Sequence, residues 1–154
     1  MTDIVVASAA RTPVGNLNGA FSGLPASKLG EVVIRAVLDR ANLREKEVSE
    51  VILGQILTAG AGQNPARQAA LSAGLPVEVP AFSLNQLCGS GLKSVAMGYQ
   101  AICGGDASVV VAGGQESMSQ APHCIQIRNG KKLGHTQLMD TMVQDGLLDA
   151  FNGY

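Results

Sequence analysis

Charge is scarce in this sequence: Asp, Glu, Lys and Arg make up 15% of its 154 residues, against about 25% in an average soluble domain. A domain of this size has much surface to cover. The shortage therefore predicts that part of its outside lies against other protein, as an oligomer, a further length of chain, or both. A net charge of −1 lacks the basic excess that non-specific nucleic-acid binding needs. Aromatics are only 3% with no Trp, which leaves few platforms for stacking single-stranded bases. No apolar run reaches the length of a bilayer span, so no membrane role is expected. The acidic start Met1-Thr2-Asp3 resembles neither a secretory nor a transit peptide. Three cysteines, an odd number at wide spacing, make no disulfide framework; a reducing compartment follows, with the cytoplasm as the expectation.

What is present is glycine, with 19 residues against an average share of about 7%, and a regular alternation of apolar runs. Asp3–Ala10 reads as a buried strand, closed by Arg11-Thr12-Pro13 and followed by a Gly/Asn-rich loop over 14–23. Leu29, Val32, Val33, Ala36, Val37 and Ala41 fall at three-four spacing, which predicts a helix from a Ser27 N-cap to near Asn42. Val48–Leu57 is a second strand. Asn64-Pro65 opens the next helix, with Asn as N-cap and Pro at the first position, and Gly74 stops it. Pro80–Asn85, a helix over 89–102 and Asp106–Gly113 complete the order βαβαβαβ. Apolar strands in that order predict an α/β fold on a largely parallel sheet. After Gly114 the rhythm is lost. Ile125 and Ile127 lead into Asn129-Gly130, a hairpin signal.

The chemistry concentrates at Asn85-Gln86-Leu87-Cys88-Gly89-Ser90-Gly91. Cys88 falls between a buried strand and a helix whose expected apolar face is Leu92, Val95, Ala96, Tyr99, Ile102 and Cys103. A thiol there meets the positive end of a helix, which favours the thiolate. Free backbone N–H groups could hold an oxyanion on an attacked carbonyl. Gly89 and Gly91, around small Ser90, leave room for an acyl group to approach. On position alone Cys88 is either such a nucleophile or a small buried hydrophobe. Cys103, on the apolar helix face, is expected to be structural. So is Cys124: although His123 adjoins it, chain neighbours rarely point at one centre, and no paired Cys/His spacing supports a metal. Gly89-x-Gly91 leads to Ser94 where a dinucleotide fingerprint needs Gly or Ala, and there is no Gly-Lys-Ser/Thr triplet, so a nucleotide loop is not expected.

The run around Cys88 resembles the active-cysteine motif of the thiolase family, most of all its acetyl-CoA acetyltransferases. Three further motifs carry the resemblance along the chain: Arg11-Thr12-Pro13-Val14-Gly15, Gly62-Gln63-Asn64-Pro65-Ala66-Arg67-Gln68 and Gly113-Gly114-Gln115-Glu116-Ser117-Met118-Ser119. The resemblance implies that residues 1–118 form the N-terminal half of a thiolase fold, itself part of a five-layered αβαβα architecture. Residues 119–154 would begin the loop domain that covers coenzyme A. It further implies that Cys88 takes an acyl group from acyl-CoA, with its backbone N–H as one oxyanion donor. An acetyl-CoA carbanion then attacks the thioester to give acetoacetyl-CoA, and the reverse is thiolysis. Coenzyme A would be substrate and product, and no separate cofactor is implied.

The family's catalytic His and second, acid/base Cys belong to its later half. Neither His123 nor His135 sits in that His motif, so the chain is expected to be the front part of the enzyme and unable to turn over alone. The resemblance also places Leu147 on the pantetheine arm. It makes the hairpin near Asn129-Gly130, with Arg128, Lys131 and Lys132, the joint between dimers of a tetramer. A core or interface leucine and a solvated hairpin tip are the plainer readings of those two features. A ketoacyl synthase relative and a non-catalytic lipid-binding or assembly subunit of the same fold are the alternatives. The Gly-Ser-Gly after Cys88 and the Gln115–Met118 run favour thiolase over the synthase.

Overall fold

A computed structural model describes residues 3–154. Three parallel strands, β1 (Glu50–Gly54), β2 (Ala81–Leu84) and β3 (Val110–Gly114), form a sheet in the order β2-β1-β3. Val51 is opposite Ala81 on one side of β1, and Glu50 is opposite Val110 on the other. Helices α1 (Ala26–Ala41), α2 (Pro65–Ser72) and α3 (Ser90–Gly104) alternate with the strands, as the α/β reading expects. Because successive residues of a strand face opposite ways, β1 serves two layers. Val51 and Leu53 join the core under α1 and α2, whereas Gly54 meets α3.

The core is built of small and branched side chains. Ile34, Leu38, Val48, Ala66, Ala69, Ala70 and Leu75 close over Val51 and Leu53. Ile34 is fully buried, a side chain for which burial contributes about 1.5–3 kcal/mol. Alanines on α2 let α1 approach closely. The buried stripe of α1 is Ala26, Gly30, Ile34 and Leu38, not the expected Leu29–Ala41 set: Val32, a member of that set, is 57% exposed. The helix also starts one residue before the expected Ser27 cap, after Pro25 and without a side-chain cap. Pro25 fixes an extended entry (φ −67°, ψ 153°), so the turn begins at once. The other punctuation is as expected. The Asn64 side chain accepts the Arg67 N–H at 3.1 Å with Pro65 at the first position of α2, and Gly74 stops the helix at φ +98°.

The expected first strand is a correction. Asp3–Ala10 belongs to no strand, and Val5 and Val6 are exposed. Apolar, β-branched composition states a preference for burial, but a strand exists only where a neighbour receives its N–H and C=O groups. The sheet ends at β2 and β3, neither of which takes the segment. It is tied instead to α1, where Arg40 donates to the Ala9 carbonyl at 2.5 Å.

In the tail, His123–Cys124 (β4) and Met139–Asp140 (β5) pair antiparallel, and a short helix α4 (Thr141–Gly146) follows. The hairpin thus closes far from its expected tip. Asn129-Gly130 does turn, with Gly130 at φ +75° and its N–H on the Ile127 carbonyl at 2.8 Å. Ile125 and Ile127, however, are exposed and outside any strand. A second apolar surface, which the alternation would need, is absent beside them among the described residues.

Candidate active site

Three loops leave the sheet at one edge, because all three strands are parallel: 55–58 after β1, 85–89 after β2 and 115–117 after β3. In open parallel sheets this carboxyl edge is where ligands bind. Cys88 stands on the middle segment in sequence, exposed, one residue before the Gly89 N-cap of α3. The turn that carries it is tightly specified. Asn85 Oδ1 accepts the Leu87 N–H at 2.9 Å. The Gly89 N–H reaches the Gln86 carbonyl at 3.1 Å and the Ser90 N–H the Leu87 carbonyl at 3.0 Å. The Ser90 hydroxyl accepts the Gln86 N–H at 2.8 Å and donates to the Leu87 carbonyl at 2.6 Å. Leu87 pays with a left-handed backbone, φ +50°. Among the described residues the Cys88 N–H donates to no carbonyl or side chain. An exposed thiol, an unengaged N–H and the positive end of a 15-residue helix therefore share one corner. The exposure removes the alternative of Cys88 as a small buried hydrophobe.

The helix behind the thiol faces the opposite way from the expectation. Its buried positions are Ser90, Ser94 and Gly98, while Leu92, Val95, Ala96, Tyr99 and Cys103 look outward, Leu92 at 78% exposure. Close approach to the sheet explains it. A Cβ on Gly54 would lie 2.5 Å from Ser90 Cβ, and one on Gly98 3.1 Å from Val110 Cγ1. The Ser94 hydroxyl lies within hydrogen-bond reach of the Gly113 carbonyl at 2.7 Å and the Gly91 carbonyl at 2.6 Å. Only small side chains fit between helix and strands, so the large apolar ones are displaced to the far side. Gly91 faces the sheet as well, a would-be Cβ lying at an ordinary contact distance of 3.9 Å from Gly113 and Gly114. Cys103 is exposed, not packed in a core.

A buried amide pair and a carboxylate brace the other two loops. Gln115 Nε2 donates to Gln55 Oε1 at 2.8 Å, and Gly30 leaves the space for Gln115, whose Oε1 a Cβ there would meet at 1.9 Å. Glu116 accepts the N–H groups of Ile56 (2.7 Å) and Leu57 (3.2 Å). Half-burial pushes its carboxyl above the usual range, and the backbone N–H donors pull the other way. These braces were not singled out by sequence reasoning, although Gln115 and Glu116 lie in a quoted motif. A polar side chain one or two residues after a strand gives no sign of which loop it will cap. Beside them an open pocket of about 340 Å³ is lined by Gln55, Thr58, Asn64, Ser83 and Asn85; Cys88 stands outside it.

Leu147 follows α4 and is exposed. The space beside Gly146 is closed by Leu57 and Ile56 at 3.4 and 3.9 Å from a Cβ built there, so α4 ends against the loop that Glu116 braces. Leu147 is thereby brought to the same edge as the thiol, although no contact joins the two. His123 lies 3.8 Å from Asp140 across the β4–β5 pair, and Cys124 is partly buried. Among the described residues no three His, Cys, Asp or Glu side chains come together as metal ligands. At the hairpin tip Lys131 donates to the His135 carbonyl. No helix is long and apolar enough to cross a membrane.

Residues 4–154 match the family model described as "Thiolase, N-terminal domain". The chain is 62% identical over 151 residues to an acetyl-CoA acetyltransferase of Rhizobium meliloti, covering 98% of this chain and 38% of that protein. It is 59% identical over 153 residues to one of Shinella zoogloeoides, covering 99% and 39%. To a cytosolic acetyl-CoA acetyltransferase of Rattus norvegicus it is 53% identical over 151 residues, covering 98% and 38%. The chain thus spans about two-fifths of the length of these curated relatives.

Proposed function

Since the chain belongs to the thiolase family, through its N-terminal domain, we propose that it carries the acyl-accepting cysteine of an acetyl-CoA C-acetyltransferase. Cys88 Sγ attacks the thioester carbonyl of acetyl-CoA. A bond from Sγ to the acyl carbon forms, the bond to the coenzyme A sulfur breaks, and coenzyme A leaves as its thiol, taking the proton that Cys88 gives up. A second acetyl-CoA, deprotonated at its methyl carbon, attacks acetyl-Cys88; a carbon–carbon bond forms, acetoacetyl-CoA departs and Cys88 regains its proton. One thioester is exchanged for another in the first step, so the barrier rather than the balance is what the site must change. The Cys88 N–H is one donor to the oxyanion. The His that takes the thiol proton and the Cys that acts as acid and base are assigned to residues outside this chain.

The observation that carries this reading is the exposed thiol beside an unengaged N–H at the start of α3. The outward apolar face of α3 supports the five-layered arrangement, because Leu92, Val95 and Tyr99 together make a stripe that a further layer would cover. Leu147, exposed at the carboxyl edge, is suited to the pantetheine arm, and the Asn129-Gly130 hairpin to joining dimers into a tetramer. A cytoplasmic location accords with the name of the rat relative.

Site-resolved alkylation tests the reading. Acetyl-CoA is expected to slow iodoacetamide modification of Cys88 and to leave an acetyl group on it by mass spectrometry, once the chain is joined to the remaining length that its curated relatives have. Cys88→Ala abolishes the adduct. The 154-residue chain alone gives no condensation. Binding of acetyl-CoA with neither protection nor adduct would instead make the protein a non-catalytic subunit of this fold.

A further inference from the structure

We infer that Ser90 is the positioning residue of the Cys88 turn: its hydroxyl, acting on both sides of Leu87, holds the thiol and the adjacent N–H where they are. Leu87 occupies the left-handed region at φ +50°, a conformation that strains any L-residue with a full side chain. The surrounding turn must supply that energy. The Ser90 Oγ accepts the N–H of Gln86, the residue before Leu87, and donates to the carbonyl of Leu87 itself. One oxygen therefore ties the Asn85–Gln86 peptide to the Leu87–Cys88 peptide, which carries the Cys88 N–H, while Asn85 Oδ1 and the Gly89 N–H hold the Gln86–Leu87 peptide between them. Two such bonds from one buried hydroxyl are of the size that offsets the strain of a single left-handed residue.

The hydroxyl is itself held in place. Ser90 is 5% exposed and sits directly over Gly54, where a Cβ would come within 2.5 Å of Ser90 Cβ and of its carbonyl carbon. The chain of support runs from the middle strand, through Gly54 and Ser90, to Leu87 and Cys88. Removing the oxygen would leave the Gln86 N–H without its acceptor and the Leu87 carbonyl with only the Ser90 N–H, which loosens the left-handed turn and lets the Cys88 side chain and N–H shift with it. Asn85 Oδ1 on the Leu87 N–H restrains the entry to the turn but touches neither Gln86 N–H nor Leu87 carbonyl.

The inference draws its importance from Cys88 as the acyl acceptor, but the test does not depend on that reading. Iodoacetamide kinetics on the 154-residue chain, resolved by site, compare Cys88 with Cys103, which is exposed on the same helix and reports whether α3 is intact. In Ser90→Ala the Cys88 rate falls about tenfold relative to Cys103, the loss expected for one to two hydrogen bonds. Adding Leu87→Gly restores most of it, because glycine holds a positive φ without strain. An isosteric pair covers the case in which Ser90→Ala fails to fold: Ser90→Thr keeps the hydroxyl and the Cys88:Cys103 ratio, whereas Ser90→Val has the same shape and loses it. An unchanged ratio in Ser90→Ala, no rescue by Leu87→Gly, or equal behaviour of the Thr and Val variants overturns the assignment. The Cys88:Cys103 ratio is read without acetyl-CoA, so its outcome is independent of the acyltransfer reading, which protection by acetyl-CoA tests separately.

Discussion

At the scale of single residues, Gly54 shows how a missing side chain sets a functional turn. It ends β1 where Ser90 comes down on the sheet. Gly54→Ala is expected to cost about 1–3 kcal/mol, as for an overpacked core, because the new Cβ would meet backbone and not a flexible side-chain end. Gly113→Ala is the control: nothing lies within 4 Å of its would-be Cβ, so that change is expected to be neutral or slightly stabilising. Urea midpoints of the two variants check the contrast. Glu116 gives the pH dependence. Its carboxyl is held above the ordinary value of 4.5 by burial, so the folded chain binds that proton more tightly than the unfolded one. The stability from this group is full below the ordinary value and is lost as pH rises through the raised folded value. Glu31, Glu47 and Asp149, held low by Lys28, Arg44 and the Asn152 N–H respectively, act in the opposite sense at lower pH. Urea unfolding of the parent and of Glu116→Gln across mildly acidic to neutral pH isolates the one group. The parent is expected to lose ground against the variant as pH rises; a constant difference would contradict this.

At the scale of elements, helix α2 and helix α3 differ in what fixes them. Asn64 caps α2 from a left-handed backbone at φ +44° and also donates to the Ala81 carbonyl at 2.8 Å, joining the helix to β2. Asn64→Ala loses both bonds and leaves an unsuitable residue at positive φ, a loss of about 1–2 kcal/mol or more. Asn64→Gly loses the bonds but not the conformation. Thermal unfolding is expected to rank the parent above Asn64→Gly and that above Asn64→Ala. Helix α3 is held by its small face instead. Leu92→Glu, at a position 78% exposed, is therefore expected to change the stability of this chain by less than about 0.5 kcal/mol. A loss of several kcal/mol in urea unfolding of the 154-residue chain would show that its outer face is already packed.

At the scale of the whole molecule, three loops meeting at one sheet edge explain how a sequence poor in charge builds a polar site. Asn85 and Ser90 bond the backbone of the turn that carries the thiol, while Gln115 bonds Gln55, and both Gln55 and Glu116 bond the backbone of the loop after β1. The low charge also fits the outward apolar side chains of α3 and of Val5 and Val6. Large apolar surface of this kind marks a place for further protein. Joined to the length that its curated relatives have beyond this match, the chain is expected to lose several kcal/mol to Leu92→Glu, unlike alone, as for a charge placed in a packed interface; thermal unfolding measures the difference.

Local chemistry was written in the sequence where one residue type has one solution. The Asn64-Pro65 start and Gly74 stop of α2, the alternation of helices with parallel strands, and the place of Cys88 between β2 and α3 all follow from backbone rules that act within a few residues. Tertiary structure decided the rest. It turned the small face of α3, and not its apolar one, to the sheet, because helix–sheet distance depends on Gly54, Val110 and Gly113, which are remote in sequence. It denied Asp3–Ala10 a sheet, because a strand needs a partner that its own residues cannot specify. The active corner itself divides the same way. The sequence determined that Cys88 stands at a strand-to-helix junction; only the fold set Ser90 over Gly54, from where one hydroxyl ties the Gln86 N–H to the Leu87 carbonyl across the turn that presents the thiol.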